Sequence, residues 1–496
     1  MKTMNLLACL IILLALGAGA TTVYVNVNSA SPTPPYADWS TVATDIQSAI
    51  DVANNGDQIL VTNGVYQTGG RAVTGSLLNR VVVSKALTVQ SVNGAAFTAI
   101  KGFQLAGTTN GDGAIRCVYL TNNATLIGFT LTNGATRGGA GTLIEREGGG
   151  IYCRSASAVV SNCVLIGNSA ATQGGGTFQG VFYNCTFQRN TATNGGGSYS
   201  STLIGCTLTG NQAANSGGGA YSSSLTNCTL AANSAISSGG GAYSGALTNC
   251  ILSGNSAGSG GGANSATLIN CILTTNSASS SGGGAKSGTL NNCTLTGNSA
   301  TTGGGANSAT LNACTLIGNL AFSSGGGATG GTLTNCTLTG NLTSLVGGGG
   351  GGVYAATLNN CTLRGNLSTD GGAVNQCSLN NCLLTGNSAA SYGGGAFYCT
   401  LNNCTLTGNS TPTSGGGAYN GALNNCIVYY NFAATGPNYF GSTLNYCCTT
   451  PLPIGSAGNF AAEPLLADTF HLSVMSPCRG AGKITYTTGK DIDGEA

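Results

Sequence analysis

Between Val160 and Cys447, apolar residues recur with a spacing that belongs neither to a helix nor to a long strand. Each unit runs apolar residue, two positions, Cys, one position, second apolar residue, then Gly-Asn and a stretch of glycine. Leu290 to Asn298 and Leu401 to Asn409 are the same nine letters, LNNCTLTGN. The cysteines of this ladder are Cys163, Cys185, Cys206, Cys228, Cys250, Cys271, Cys293, Cys314, Cys336, Cys361, Cys382, Cys404, Cys426 and Cys447, spaced 21 or 22 residues apart except for one interval of 25. A period that tight is one supersecondary unit stacked on itself.

The pattern also predicts the shape of the unit. Cys and the apolar residue two positions later share a parity, as on one face of a strand, whereas the apolar residue three before Cys does not, so the chain turns a corner between them. Five residues after each ladder cysteine stands an asparagine: Asn168, Asn190, Asn211, Asn233, Asn255, Asn276, Asn298, Asn319, Asn341, Asn366, Asn387, Asn409 and Asn431. Asparagine tolerates left-handed backbone and can bond its equivalent one coil on, which predicts an asparagine ladder at a turn. Glycine runs such as Gly174 to Gly176 and Gly217 to Gly219 exclude helix, at roughly 1 kcal/mol per residue against alanine. Short strands joined by corners and stacked at roughly 4.8 Å per turn make an all-β right-handed parallel β-helix, on the order of 60 Å long.

Outside residues 135–447, the regular array, the pattern changes. Lys2, the apolar run Leu6 to Leu16 and Ala18-Gly19-Ala20 predict a signal peptide over residues 1–20, cleaved after Ala20, hence a secreted or cell-surface protein with no membrane span once the signal is removed. Residues 21–134 read as an N-terminal cap with irregular coils. They hold one amphipathic helix, with Val42, Ile46, Ala49, Ile50 and Ala53 on a single stripe opened by Ser40 or Thr41 and ended at Gly56, placed to plug the first coil. Strands are expected at Gln58 to Thr62 and Arg80 to Ser91. Phe129 to Thr132 occupies the ladder register with Phe in place of Cys, so the array starts one coil before Cys163. The segment from Asn133 to Gly148, with Glu145, Arg146 and Glu147, reads as an exposed insertion. Residues 448–496 read as a C-terminal cap or tail, incomplete at Asp491-Ile-Asp-Gly-Glu-Ala496.

Charge narrows the chemistry. From Ser155 to Cys447 the charged residues are Arg189, Lys286, Arg364 and Asp370, and the single histidine, His471, lies outside. The whole chain has 15 basic and 13 acidic residues, so a nucleic-acid footprint and a polybasic membrane patch are both excluded. No cofactor or metal set is expected. Stacked in-register cysteines hold their Cβ atoms roughly 4.8 Å apart, outside the usual disulfide range of about 3.5 to 4.5 Å, so the ladder thiols are read as buried and free. Cys117 with Cys153, and Cys377 with Cys399, occupy matching places in neighbouring coils; Cys448 and Cys478, in the irregular tail, are the disulfide candidates.

Candidate sites are few. Asp370 and Arg364 share a coil and read as a solvated pair. Asp57 reads as a turn residue, His471 as a strand residue, and Asp491, Asp493 and Glu495 as an incomplete calcium loop. Thr-x-Thr around the ladder leucine (Thr207 and Thr209, Thr294 and Thr296, Thr337 and Thr339, Thr405 and Thr407) points threonines outward on one face, as in ice-binding β-solenoids, although Gln188, Ile317, Arg364 and Tyr429 interrupt the row.

Gly-Gly-Ala alternating with Phe- or Leu-x-x-Asn, as in Gly240 to Ala242, Phe187 to Asn190 and Leu295 to Asn298, resembles the repeat of the chlamydial polymorphic outer-membrane proteins. That resemblance implies a surface-displayed passenger with a role in adhesion. Pro34 to Trp39, Ile46-Gln47, Gly56-Asp57 and Gly64 to Tyr66, with Ser476 to Gly482 and Asp491 to Gly494 in the tail, look more like secreted bacterial pectin-lyase-like proteins. No lyase catalytic residue of that family carries over to a position here. The expected function is a secreted or surface-displayed, non-catalytic β-helix with a structural, adhesive or glycan-contacting role, its partners being polysaccharide, a cell surface or other copies of itself. The alternative is a carbohydrate-active enzyme, lyase or glycoside hydrolase, with its site on the loops near Glu145 and Glu147; ice binding is a minor alternative. A groove lined by Tyr221, Tyr243 and Tyr419 beside acids would favour sugar processing, and a uniformly neutral Ser/Asn face a scaffold.

Overall fold

The computed structural model describes residues 19–139, 141–344, 348–455, 457–468 and 471–486. The expected signal segment up to residue 18 and the acidic end at Asp491 to Glu495 lie outside them. The chain winds as an all-β right-handed parallel β-helix. Each regular coil feeds three sheets. In one coil, Thr177–Phe178 and Val181–Tyr183 lie in the first sheet, Thr186–Gln188 in the second and Thr191–Asn194 in the third.

Like stacks on like. Leu203 pairs with Leu225 and Leu225 with Leu247 in the first sheet; Leu208, Leu230 and Leu252 do the same in the second. These leucines and all fourteen ladder cysteines are buried in one continuous core. The cysteine stack is bonded as well as packed: Cys293 donates its thiol to Asn291 O (3.3 Å), and its sulfur accepts from Cys271 N (3.5 Å). Burial pushes the Cys185 thiol of this stack well above its ordinary value, and that of Cys117, outside the stack, up to about 12.

The asparagine ladder is present and buried. Asn298 Nδ2 donates to Leu273 O (2.9 Å) and Asn319 Oδ1 (3.0 Å), while its Oδ1 accepts from Asn276 N and Nδ2 (both 3.0 Å). Its backbone differs from expectation. Around the two ladders the left-handed residues are the one before each cysteine, such as Asn292 (φ 52°), and the one before each ladder asparagine, such as Gly297 (φ 61°). The ladder asparagine is held by its side-chain bonds.

The N-terminal region is more regular than its sequence. Thr22–Val25, Gln58–Val61, Thr88–Ser91 and Thr125–Ile127 pair in register, so the irregular coils of residues 21–134 share one sheet with the array that follows. The strand expected over Arg80 to Ser91 is two strands, Leu78–Val83 and Thr88–Ser91. Helix α1 (Ile46–Val52) starts later than expected. Asp38 ties Ser40 and Thr41 into a turn, and Asp45 is the N-cap, accepting from Ser48 N (2.8 Å). Ile46, Ala49 and Ile50 close the first coil as predicted. A second helix, α2 (Leu143–Arg146), lies in the insertion.

Cys117 and Cys153 are not stacked: Val118 pairs with Ile151 and Leu120 with Cys153, leaving the two cysteines three positions out of register. Cys377 and Cys399 are stacked, with Cys377 N on Cys399 Sγ at 3.3 Å. Among the described residues, no helix is long and apolar enough to cross a membrane.

Candidate functional site

The triple glycines make the surface fold back on itself. At Gly239 (φ 65°) a side chain would fall 2.4 Å from Ala242 O and 2.9 Å from Tyr243 Cα. The outward side of this turn therefore faces the outward side of the strand that follows. The next position is closed by the neighbouring coil, since a Cβ on Gly240 would sit 2.4 Å from Ser256 O and 2.5 Å from Gly261 O. The result is a re-entrant corner repeated at every coil, a groove parallel to the axis. Side chains from its two walls meet across it: Lys286 Nζ lies 3.3 Å from Ser259 Oγ, and Asn307 Nδ2 donates to Thr302 Oγ1 at 3.4 Å.

Each wall is a column of stacked residues. One is mostly polar: Glu147, Gln173, Asn194, Ser216, Ser238, Ser259, Ser281, Thr302, Ser324, Gly349, Asp370, Tyr392 and Ser414 follow one another in register. The other begins Tyr119, Tyr152, Phe178, Tyr199, Tyr221, Tyr243. These rings stack with centroids 4.9 to 5.5 Å apart and interplanar angles of 8 to 19°. The column continues through Asn264, Lys286, Asn307, Thr329, Tyr354 and Asn375 to a second aromatic run, Phe397, Tyr419 and Phe440. Tyr221, Tyr243 and Tyr419, singled out from the sequence, thus share one groove wall. Tyr119, Tyr152, Phe178, Tyr199, Phe397 and Phe440 were missed, though Gly-Gly-Gly-x-aromatic at 148–152, 174–178, 195–199 and 393–397 carries the signal. Tyr119 and Tyr152 are buried under Ile144 of the insertion, and the rings from Phe178 to Tyr243 are half-buried.

The insertion closes the N-terminal end of the groove, and its two carboxylates are buried, not exposed as composition suggested: Glu145 is 2% and Glu147 6% exposed. Glu145 is a staple. It accepts from Ser76 N (2.7 Å), Leu77 N (3.1 Å) and Thr142 N (3.0 Å) and pairs with Arg137 (3.2 Å); against the opposing effect of burial, these donors hold it well below the usual carboxylate range. Glu147 is the reverse case. Burial outweighs the attraction of Arg116 and Arg146 and pushes its carboxyl up to about 7. It heads the polar column and lies within electrostatic reach of Tyr152 and Tyr199 on the opposite wall. Arg116 is the post behind this end, donating to Gly148 O, Ile144 O, Glu147 O and Asn79 Oδ1 at 2.6 to 2.8 Å, with its guanidinium 5.0 Å from the Tyr152 ring centroid. Burial pushes it down to about 10.

Other expected sites disperse. Asp370 is on the groove wall, accepting from Tyr392 N (3.2 Å), whereas Arg364 is on the second sheet between Thr339 and Thr385, so the two are not one surface site. Asp57 is a turn residue, accepting from Asn54 N (2.6 Å) and Thr21 N (2.7 Å). His471 sits against Asp468 in the tail. The threonine rows face outward on the second sheet, but Ile251 and Ile272 break one of them and Ile317, Arg364 and Tyr429 the other. Cys448 and Cys478 are brought together as thiols in hydrogen-bonding contact, which lowers Cys478. Among the described residues no group of three His, Cys, Asp or Glu is placed to hold a metal ion.

No family model matches the chain, and no curated protein matches it. Solved structures similar to it include a pectate lyase, Pel9A (11% identity, 72% of this chain and 78% of that one, TM-score 0.28). The Dettilon tailspike protein is similar over 76% of this chain and 68% of its own (13% identity, TM-score 0.28), and a rhamnogalacturonan lyase over 92% and 96% (11% identity, TM-score 0.23). The activities in those names belong to those proteins.

Proposed function

We propose that this is a secreted or surface-displayed β-helix that binds extended polysaccharide along its corner groove without cleaving it. The observation that carries the reading is the half-buried aromatic wall facing a wall of hydroxyls and amides. Tyrosine rings offer an apolar body with a wet polar tip, the combination enriched where proteins meet partly polar ligands. A pyranose presents C–H patches and hydroxyls in alternation, and its repeat along a chain is comparable to the coil rise of roughly 4.8 Å. The adhesive role implied by the resemblance to polymorphic outer-membrane proteins fits the same surface.

Hydrolysis needs two carboxyl groups about 5 to 10 Å apart. Among the described residues the groove walls hold two, Glu147 and Asp370, and the register puts ten coils between them, roughly 48 Å. Glu145 is committed to the insertion staple. A binding screen of the protein against neutral and acidic polysaccharides, polygalacturonate and alginate included, tests the reading; retention on none of them would refute it.

A second reading, a carbohydrate-active enzyme, is favoured by one feature: the Glu147 carboxyl, held to about 7 at the head of the groove, suits proton donation near neutral pH. Product release from any of the same polysaccharides, lost in Glu147→Gln, would replace binding by catalysis. Change in Glu145 is the wrong probe, because it loosens the insertion.

A further inference from the structure

From the spacing of the aromatic runs, and resting on the binding role proposed above, we infer that the groove holds two separate platforms that grip a single long polysaccharide chain bivalently. The first platform is the ring run ending at Tyr243. The second is Phe397, Tyr419 and Phe440, joined by Tyr392 from the opposite wall, whose ring centroid is 4.8 Å from that of Tyr419. Between Tyr243 and Phe397 the register counts seven steps, through Asn264, Lys286, Asn307, Thr329, Tyr354 and Asn375, a separation of roughly 34 Å.

The gap differs in chemistry from the platforms. Its wall is amide, hydroxyl and one ammonium, and its lone ring, Tyr354, is tied through its hydroxyl to Gln376 Oε1 at 3.0 Å. Lys286 is the one cation on this part of the wall and reaches across the groove towards Ser259. A chain lying in the groove meets rings, then a polar stretch with one ammonium, Lys286, and one carboxyl, Asp370 on the facing wall, then rings again. Because the walls are rigid and collinear, a chain seated on one platform is already aligned with the other. The second contact is then intramolecular, and avidity follows without any new contact.

Polygalacturonate and alginate, as polymers and as size-graded oligomers, are titrated calorimetrically against the full chain. The expected result is weak binding of oligomers too short to reach both platforms and about a hundredfold tighter binding, per chain, once the length spans them. Phe178→Asn, Tyr199→Asn, Tyr221→Asn and Tyr243→Asn together, and separately Tyr392→Ser, Phe397→Asn, Tyr419→Asn and Phe440→Asn together, remove one platform each; asparagine already occupies the ring wall at Asn264 and Asn307, and serine the facing wall at Ser414, so the coils accept them. Each variant loses the length-dependent gain and keeps short-oligomer binding at the other platform. Affinity that is independent of length in the unaltered protein, or a gain that survives loss of either platform, overturns bivalency and leaves the binding role standing. No binding of either polymer, or of any neutral polysaccharide in the same screen, overturns both.

Discussion

Replacing Glu147 by Gln isolates the groove carboxyl that burial pushes up to about 7, ten coils away from Asp370, which burial also raises. The unfolded carboxyl titrates near 4.5 and the folded one near 7. Between those values the folded state carries more protons than the unfolded state, so stability falls as pH rises. The stabilisation is fully present below pH 4.5 and is lost through pH 7. The difference of 7 − 4.5, at 1.36 kcal/mol per unit, is about 3 kcal/mol. A glutamine side chain is neutral throughout, so Glu147→Gln matches the parent near pH 4.5 and exceeds it by about 3 kcal/mol at pH 8. A solenoid opens in neighbouring units rather than as a whole, so the readout is local: amide exchange of residues 144–150, corrected for the intrinsic pH dependence of exchange. Protection in the parent should fall about a hundredfold between pH 5 and pH 8 and stay level in the variant. Level protection in the parent, or the same fall in the variant, would show that Glu147 ionises freely and that Arg116 and Arg146 compensate its burial.

The interior makes further predictions. Asn298→Ala removes four buried side-chain hydrogen bonds and takes the acceptor from Asn276 N, while Asn319 Oδ1 keeps Asn298 N and Asn276 Nδ2 keeps Leu252 O; at about 1 kcal/mol per bond this costs about 4 kcal/mol, read as a lower denaturation midpoint. Gly240→Ala, 2.4 Å from backbone at Ser256, prevents the coil from closing, whereas Gly254→Ala, with φ 60° and open space around it, costs about 1 to 2 kcal/mol; yield of soluble protein separates the two. Of the twenty described cysteines nineteen are buried, so the reduced native protein should label at Cys478 first and release the other nineteen only in denaturant. If Cys448 and Cys478 join in the oxidising compartment proposed, non-reducing digestion yields one peptide pair carrying both, and the fast native thiol disappears.

What was legible in the chain was whatever the period repeats. Leu, Cys and Asn recur because each meets its own kind one coil away, so their burial follows from spacing alone. Phe129 could be placed by the same logic, and it does lie in the core with its amide on Cys163 Sγ (3.4 Å). What the period does not repeat stayed hidden. The burial of Glu145 depends on Ser76 and Leu77, nearly seventy residues earlier, and no local pattern reports that contact. Cys117 and Cys153 resemble a stacked pair only if the insertion is counted as ordinary coil, which the register of Val118 with Ile151 rules out. The ring wall lay between these extremes, periodic but diluted by Asn264, Lys286, Asn307 and Thr329 at the same positions.

The glycine floor explains why chemistry in this groove can come only from its walls. Gly240 N and Gly241 N bond to Gly260 O (3.2 Å) and Gly261 O (3.1 Å) of the next coil, and Gly260, Gly261 and Gly262 repeat the arrangement one coil further on. These backbone groups are already used in winding the rod, so a ligand finds no donors on the floor. From Gly148 to Gly417 the middle glycine of the floor cannot take a side chain, because a Cβ on Gly240 would fall 2.4 Å from Ser256 O, and the third position holds nothing larger than alanine, at Ala373. The wall columns carry no such constraint: Tyr243, Asn264, Lys286, Asn307 and Thr329 succeed one another with the register unbroken. Winding and recognition are therefore carried by different residues of the same coil. A change among the half-buried and exposed residues of the ring wall, from Phe178 to Phe440, should alter what is bound while leaving the midpoint of unfolding nearly unmoved, and a change on the floor should do the opposite.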